Sequence, residues 1–131
     1  MKDKRTARLR IFFDGGCRPN PGVMEVAAVA RGVTYRQSDV GVGGSEEAEW
    51  RALLHAVEVA AARCAEDVEL VGDSRSVINQ ANGASKCRDP RMQAHLTAYH
   101  AAVSAIPHVR LRYVSRSKNL AGIALAKGHP R

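Results

Sequence analysis

The sequence predicts an α/β fold, a five-stranded mixed sheet flanked by helices in the order β-β-β-α-β-α-α-β-α. Three observations carry the expectation. The first 42 residues hold apolar runs separated by short turns rich in glycine and proline, the pattern of an antiparallel meander. Between Ser45 and Cys64 the apolar residues recur at three- and four-residue spacing, which is helical. From Val68 to Lys127 short apolar runs alternate with helical stretches, which implies strands returning to one sheet with helices packed on its faces.

Each element has its own local reason. Leu9 to Phe13 is apolar at nearly every position, as in a strand covered on both faces. Asp14 stands where that strand is expected to stop, and Gly15 to Gly22 reads as a tight turn stiffened by Pro19 and Pro21. Val23 to Ala30 forms the second strand, Arg31-Gly32 a turn, and Val33 to Val42 the third strand. Ser45 is the expected N-cap of the long helix, with Glu46 and Glu47 in its first turn, where negative charge suits the dipole. Trp50, Leu53, Leu54, Val57, Ala61 and Cys64 form its apolar stripe. Val68 to Gly72 is a short strand, followed by Asp73-Ser74 and a short helix from Arg75 to Ala81 that Asn82-Gly83 closes. Asp89-Pro90 opens a helix reaching Ala105, with Asp as cap and Pro at the first helical position. Val109, Leu111 and Tyr113 alternate with Arg110 and Arg112 in a half-exposed strand, and a last helix runs from Leu120 to Lys127.

Composition narrows the class. A chain of 131 residues with 45% hydrophobic and 25% charged residues fits one soluble domain with a real core. The basic N-terminal tail, residues 1–7, has no signal-type apolar core after it, and no run is long enough for a membrane span, so no membrane partner is expected. Cys17, Cys64 and Cys87 are odd in number and widely spaced, which suits a reducing cytoplasm better than a disulfide framework or a zinc cluster. The net charge is +7, and no Asp or Glu follows Asp89. This one-signed asymmetry points to a polyanion, with nucleic acid the leading candidate. A monomer is expected.

Three carboxylates occupy informative places. Asp14 and Asp73 end strands, and Glu49 lies near the start of the long helix beside Trp50. Side chains at the carboxyl ends of strands in such sheets converge on one rim. Acids gathered in an apolar scaffold repel one another unless a cation neutralises them. Mg²⁺ prefers oxygen ligands, and a pair of such ions would support phosphodiester hydrolysis. Each acid also has a plainer role open to it: Asp73 as a helix cap, Glu49 as a solvated first-turn charge, Asp14 as part of an ordinary turn.

These residues resemble type 1 ribonuclease H, the enzymes that cut the RNA strand of RNA–DNA hybrids. The matching pieces are Phe13-Asp14-Gly15-Gly16 with Asn20-Pro21-Gly22, Ala48 to Leu53, Gly72-Asp73-Ser74 with Val77 to Gln80 and Asn82-Gly83, Asp89 to Met92, and Arg116 to Ala126. They run in the family's order along nearly the whole chain, and one helix between Asp89 and the last strand matches the compact branch without a basic protrusion. The resemblance implies a metal-dependent endonuclease acting on hybrids, with Mg²⁺ (Mn²⁺ as a substitute) held by Asp14, Glu49 and Asp73. It implies nucleic-acid contacts from Gly15, Gly16, Cys17, Arg18, Asn20, Ser45, Ser74, Asn79 and Arg116, the Cys17–Asn20 turn sensing RNA 2′-hydroxyls in the minor groove.

Two departures qualify it. The family's Thr-Asn-Asn run before the long helix is Gly44-Ser45-Glu46 here, which should weaken a backbone contact. The family's fourth acid aligns with Ile123, expected to be a core residue of the last helix. Three acids instead of four should weaken occupancy of one ion and with it activity; the alternative is a hybrid- or duplex-binding module whose catalysis has lapsed. The family's loop histidine has no counterpart, Arg116 standing there as in the compact branch, and His129 is expected to be a tail residue.

Overall fold

The computed structural model describes residues 7–128; the tail positions 1–6 and His129 lie outside the described residues. Strands β1 (Leu9–Arg18), β2 (Gly22–Ala30), β3 (Val33–Gln37) and β4 (Val42–Gly43) precede helix α1 (Ser45–Ala62). Strand β5 (Asp67–Gly72), helices α2 (Arg75–Ala81) and α3 (Pro90–Val103), strand β6 (His108–Tyr113), a 3₁₀ turn (Arg116–Lys118) and helix α4 (Leu120–Lys127) follow. The sheet runs β3-β2-β1-β5-β6, with β4 pairing the start of β2. β1, β2 and β3 are antiparallel neighbours, whereas β1, β5 and β6 are parallel. The mixed sheet is the one the sequence predicts, with six strands rather than five because β4 stands apart from β3.

The sheet separates two apolar layers. Leu9, Ile11 and Phe13 of β1, Val68 and Leu70 of β5, and Trp50, Leu53 and Val57 of α1 form the main core, which α2 and α3 complete. On the opposite face Ala27 and Val29 pack against Ala121 and Leu125 of α4, with Phe12 at the margin. The two-residue period of the strands sends Ile11 and Phe13 one way and Phe12 the other.

Four local expectations need correction. β1 does not stop at Asp14 but continues to Arg18, because its pairing with β2 persists from Asp14↔Ala27 to Arg18↔Val23. What ends near Asp14 is the parallel pairing with β5, last seen at Phe12↔Val71. The expected third strand is split: Asp39 Oδ1 accepts from Gly41 N at 3.0 Å in a turn where Gly41 has φ +108°, and the chain returns to β2 through backbone bonds of Val40 and Gly41 to Met24 before pairing as β4 from Val42. Gly44, not Ser45, is the N-cap of α1, since the Ser45 backbone N–H is held by Asn20 Oδ1 at 3.2 Å. α1 ends at Ala62, two residues early, where Cys64 turns to φ +54°. Ser74 caps α2 by accepting from Val77 N, which leaves the Asp73 carboxylate free of that duty.

Candidate active site

Strand geometry and close packing bring the three acids together. Asp14 lies on β1 just past its last pair with β5, and Asp73 directly follows β5. Glu49 comes from α1, which approaches β1 closely because residue 15 is glycine: a Cβ there would collide with the Ala48 carbonyl. The Gly15 N–H donates to Glu49 Oε1 at 2.8 Å. Ligand oxygens of Asp14, Glu49 and Asp73 all lie within 4.8 Å of one another. They line an open cleft of ≈ 480 Å³ with Gly15, Ser45, Glu46, Ser74, Arg116 and Gly122.

The cluster lacks enough positive charge to balance it. Burial, then the charge of Asp73, pushes Asp14 from the usual 3.8 to about 7, against a smaller opposing pull from Arg116. Burial, then Asp14, pushes Glu49 from 4.5 to about 9. Both shifts record the cost of holding negative charge in a poorly solvated place beside like charge. A hard cation with oxygen ligands removes that cost, so the donor set fits a divalent metal.

Asn119 is a site residue that the motif contained but whose role spacing did not reveal. It is fully buried, donates from Nδ2 to Asp73 Oδ2 at 3.0 Å and to the Phe13 carbonyl at 2.9 Å, and accepts from Ala121 N at 3.1 Å as the cap of α4. One amide thus locks Asp73, β1 and α4 together beside Asp14. A polar residue capping an apolar helix was the available signal.

The other expected site residues divide. Gly15, Ser45, Ser74 and Arg116 line the cleft. Gly16, Cys17 and Arg18 line a smaller groove that also reaches Asp14 and Gly122. Asn20 clasps Ser45 through Oδ1 to its backbone N–H and Nδ2 to its Oγ, tying the β1–β2 turn to the start of α1. Asn79 is exposed on α2 and does not line the cleft; its backbone carbonyl accepts from Ala84 and Ser85. Ile123 is 43% exposed rather than a core residue, because the helical period turns Ala121 and Leu125 to the sheet and leaves 123 at the rim. Its neighbour Gly122 is the α4 residue that faces the acids: a Cβ there would lie 3.4 Å from Asp14 Oδ2 and 3.8 Å from Asp73 Oδ2. Glu46 also lines the cleft, its Oε1 accepting from Ser76 Oγ at 3.1 Å.

Comparison with known proteins agrees with this fold. The family model described as reverse transcriptase-like matches residues 13–129. Ribonuclease HI of Halobacterium salinarum is 32% identical over 131 residues, covering 96% of this chain; the chain spans 66% of that relative's length. The crystal structure of RNase H1 from the same archaeon superposes with a TM-score of 0.85 at 29% identity, covering 91% of this chain and 94% of the other. LC11-RNase H1 in complex with an RNA/DNA hybrid gives a TM-score of 0.78 at 24% identity, covering 89% and 92%, a likeness of fold. The chain therefore has the ribonuclease H fold and belongs to the reverse transcriptase-like family.

Proposed function

We propose that this protein is an endoribonuclease of the ribonuclease H type, hydrolysing the RNA strand of RNA–DNA hybrids with divalent metal ions, Mg²⁺ or Mn²⁺, at Asp14, Glu49 and Asp73. The observation that carries the reading is the meeting of these carboxylates within 4.8 Å in a cleft with no compensating base other than Arg116 among the described residues. A related fold bound to an RNA/DNA hybrid supports the substrate class.

A bound divalent ion would supply charge neutralisation on the phosphoryl oxygens and an activated water. The chain's own residues prepare for this. Gly15 N–H orients Glu49, and Asn119 orients Asp73. Arg116, lining the same cleft, offers a guanidinium to a phosphate once the carboxylates are occupied by metal. Gly16 and Cys17 on the extended end of β1 leave room for a minor groove, where backbone groups can meet 2′-hydroxyls. The ordinary charge excess of +7 favours the polyanion.

A binding module without cleavage is the second reading, and α4 favours it: the helix beside the acids faces them with Gly122, sets Ile123 at the rim, and carries no carboxylate. Cleavage of an end-labelled hybrid with Mg²⁺ or Mn²⁺, beside the Asp73→Asn variant, separates the two. Activity in the wild type well above that of the variant is expected. Equal activity, with hybrid binding retained, would leave only the binding module.

A further inference from the structure

The face of the sheet that carries α4 is only half covered. The two-residue strand period puts Arg10, Phe12 and Asp14 of β1 on that face. The parallel register adds Glu69 and Val71 of β5 and Arg110 and Arg112 of β6. Phe12 fixes the assignment, since it packs with Ala121 and Leu125 of α4. α4 lies over β1, β2 and β3, away from β6. Among the described residues, no helix covers the β5–β6 half on this side. Asp14 and Asp73 stand at the upper end of the same face, so its open half runs into the cleft.

Arginine dominates the open half. Arg8 meets Asp67 at 3.5 Å, and Arg10 and Arg112 share the one carboxylate of buried Glu69, at 2.7 Å and 3.0 Å. Arg110 and Lys118 are exposed and have no ion-pair partner among the described residues. Four guanidiniums thus stand against two carboxylates, and Lys118 adds a further cation two residues after Arg116 of the cleft. Two shallow hollows mark the face. One of ≈ 590 Å³ is lined in part by Phe12, Arg112 and Lys118, and one of ≈ 500 Å³ in part by Arg8, His108 and Arg110. Guanidiniums held on strands by shared carboxylates present their forks at fixed spacing, which suits phosphate oxygens. The one phenyl ring, Phe12, is half-buried beside α4, which leaves backbone phosphates, not bases, as the groups this face is built to meet.

We propose that this half-face is a second, sequence-independent contact for the phosphate backbone of the duplex held at the cleft. The inference rests on the reading of the cleft as a nucleic-acid site, and the test keeps the two apart. Arg8 lies six residues before Asp14. Along an extended strand that is about 20 Å, or roughly six base pairs of duplex. A hybrid of about 8 base pairs therefore fills little beyond the cleft, and one of about 18 also spans the face. Fluorescence anisotropy in EDTA, where nothing is cut, follows the binding of both against salt concentration. Arg110→Gln and, separately, Lys118→Gln should weaken the long hybrid about fivefold or more at moderate salt and reduce its logarithmic salt slope by about 1. Arg110→Gln should leave the short hybrid within about twofold, as should Arg31→Gln for both hybrids, since Arg31 is exposed in the β2–β3 turn off this face. Unchanged affinity and slope in both face variants, with the hybrids still bound, would overturn the face and leave the cleft reading standing. An equal loss from Arg31→Gln would overturn it as well, because it would report net charge alone. So would an equal loss on the short hybrid, or competition by polyglutamate as effective as that by duplex DNA of equal charge, which would mark a surface for acidic protein. Failure of either hybrid to bind at any salt would sink the cleft reading, and the face with it.

Discussion

Glu47 and Glu49 stand two residues apart on α1 and have opposite electrostatic fates. Glu47 is buried yet met by Arg91 at 2.8 Å and His95 at 2.9 Å, both from α3. Burial alone would raise it, but the hydrogen bonds of His95 and Arg91 win and hold it below the usual 4.5. Glu69 behaves likewise between Arg10 and Arg112. Glu49 meets Asp14 and Asp73 instead and is driven up to about 9. On the proposed function, the difference separates structural from functional acids. A buried carboxylate supplied with cations holds elements together, and one surrounded by other carboxylates is waiting for a ligand.

The sharpest way to break this contrast is to neutralise one acid from each group. Asp73→Asn should lower hybrid cleavage by about 10³-fold or more, because several kcal/mol of metal-held charge stabilisation go with it. The same change should leave the metal-free protein at least as resistant to heat, since it removes repulsion. Glu47→Gln should do the reverse. Urea denaturation should show a loss of about 2 kcal/mol as the α1–α3 tie weakens, with cleavage kept at temperatures where the variant is folded.

pH separates the groups in the same way. Asp14 and Glu49 have raised values in the fold, so their penalty is absent below about 4 and grows as pH rises toward 7 and then 9. Glu47 and Glu69 have lowered values, so their contribution is present above 4.5 and is lost as pH falls below it. The melting temperature of the metal-free protein should therefore peak in mildly acidic solution and decline toward pH 8. Added Mn²⁺ should restore it most at the alkaline end, and a metal-free profile that keeps rising to pH 8 would count against the charge cluster.

The smallest effect concerns α4. Gly122→Asp would set a fourth carboxylate directly against Asp14 and should lower the metal-free melting temperature. Ile123→Asp, at the exposed rim, should leave that temperature unchanged and raise Mn²⁺ affinity a few-fold, as its carboxylate turns inward only toward a cation. Calorimetric titration and thermal scans of the two variants check this directly.

Much of this was legible in the sequence. The meander, the helices and the order of the sheet follow from apolar period and turn residues, and Asp14, Glu49 and Asp73 from their places at the rim. The misses have physical causes. Local pattern cannot reveal that β2 holds β1 in register for four residues beyond Asp14, since that depends on a partner strand. Nor does it distinguish Glu47 from Glu49, whose environments are set by α3 and by β1 respectively. The helix period of α4 was readable, yet its rotation was not: packing of Ala121 and Leu125 on the sheet turns Gly122, not Ile123, toward the acids.

The central claim is that Asp14, Glu49 and Asp73 await a cation, and calorimetric titration of the wild type and Asp14→Asn with Mn²⁺ near pH 7.5 tests it most directly. The account predicts saturable binding with proton release in the wild type, since metal displaces protons held by the raised acids, and loss of that binding in the variant. Wild-type protein that takes up no Mn²⁺, or a variant that binds it equally well, would contradict the account.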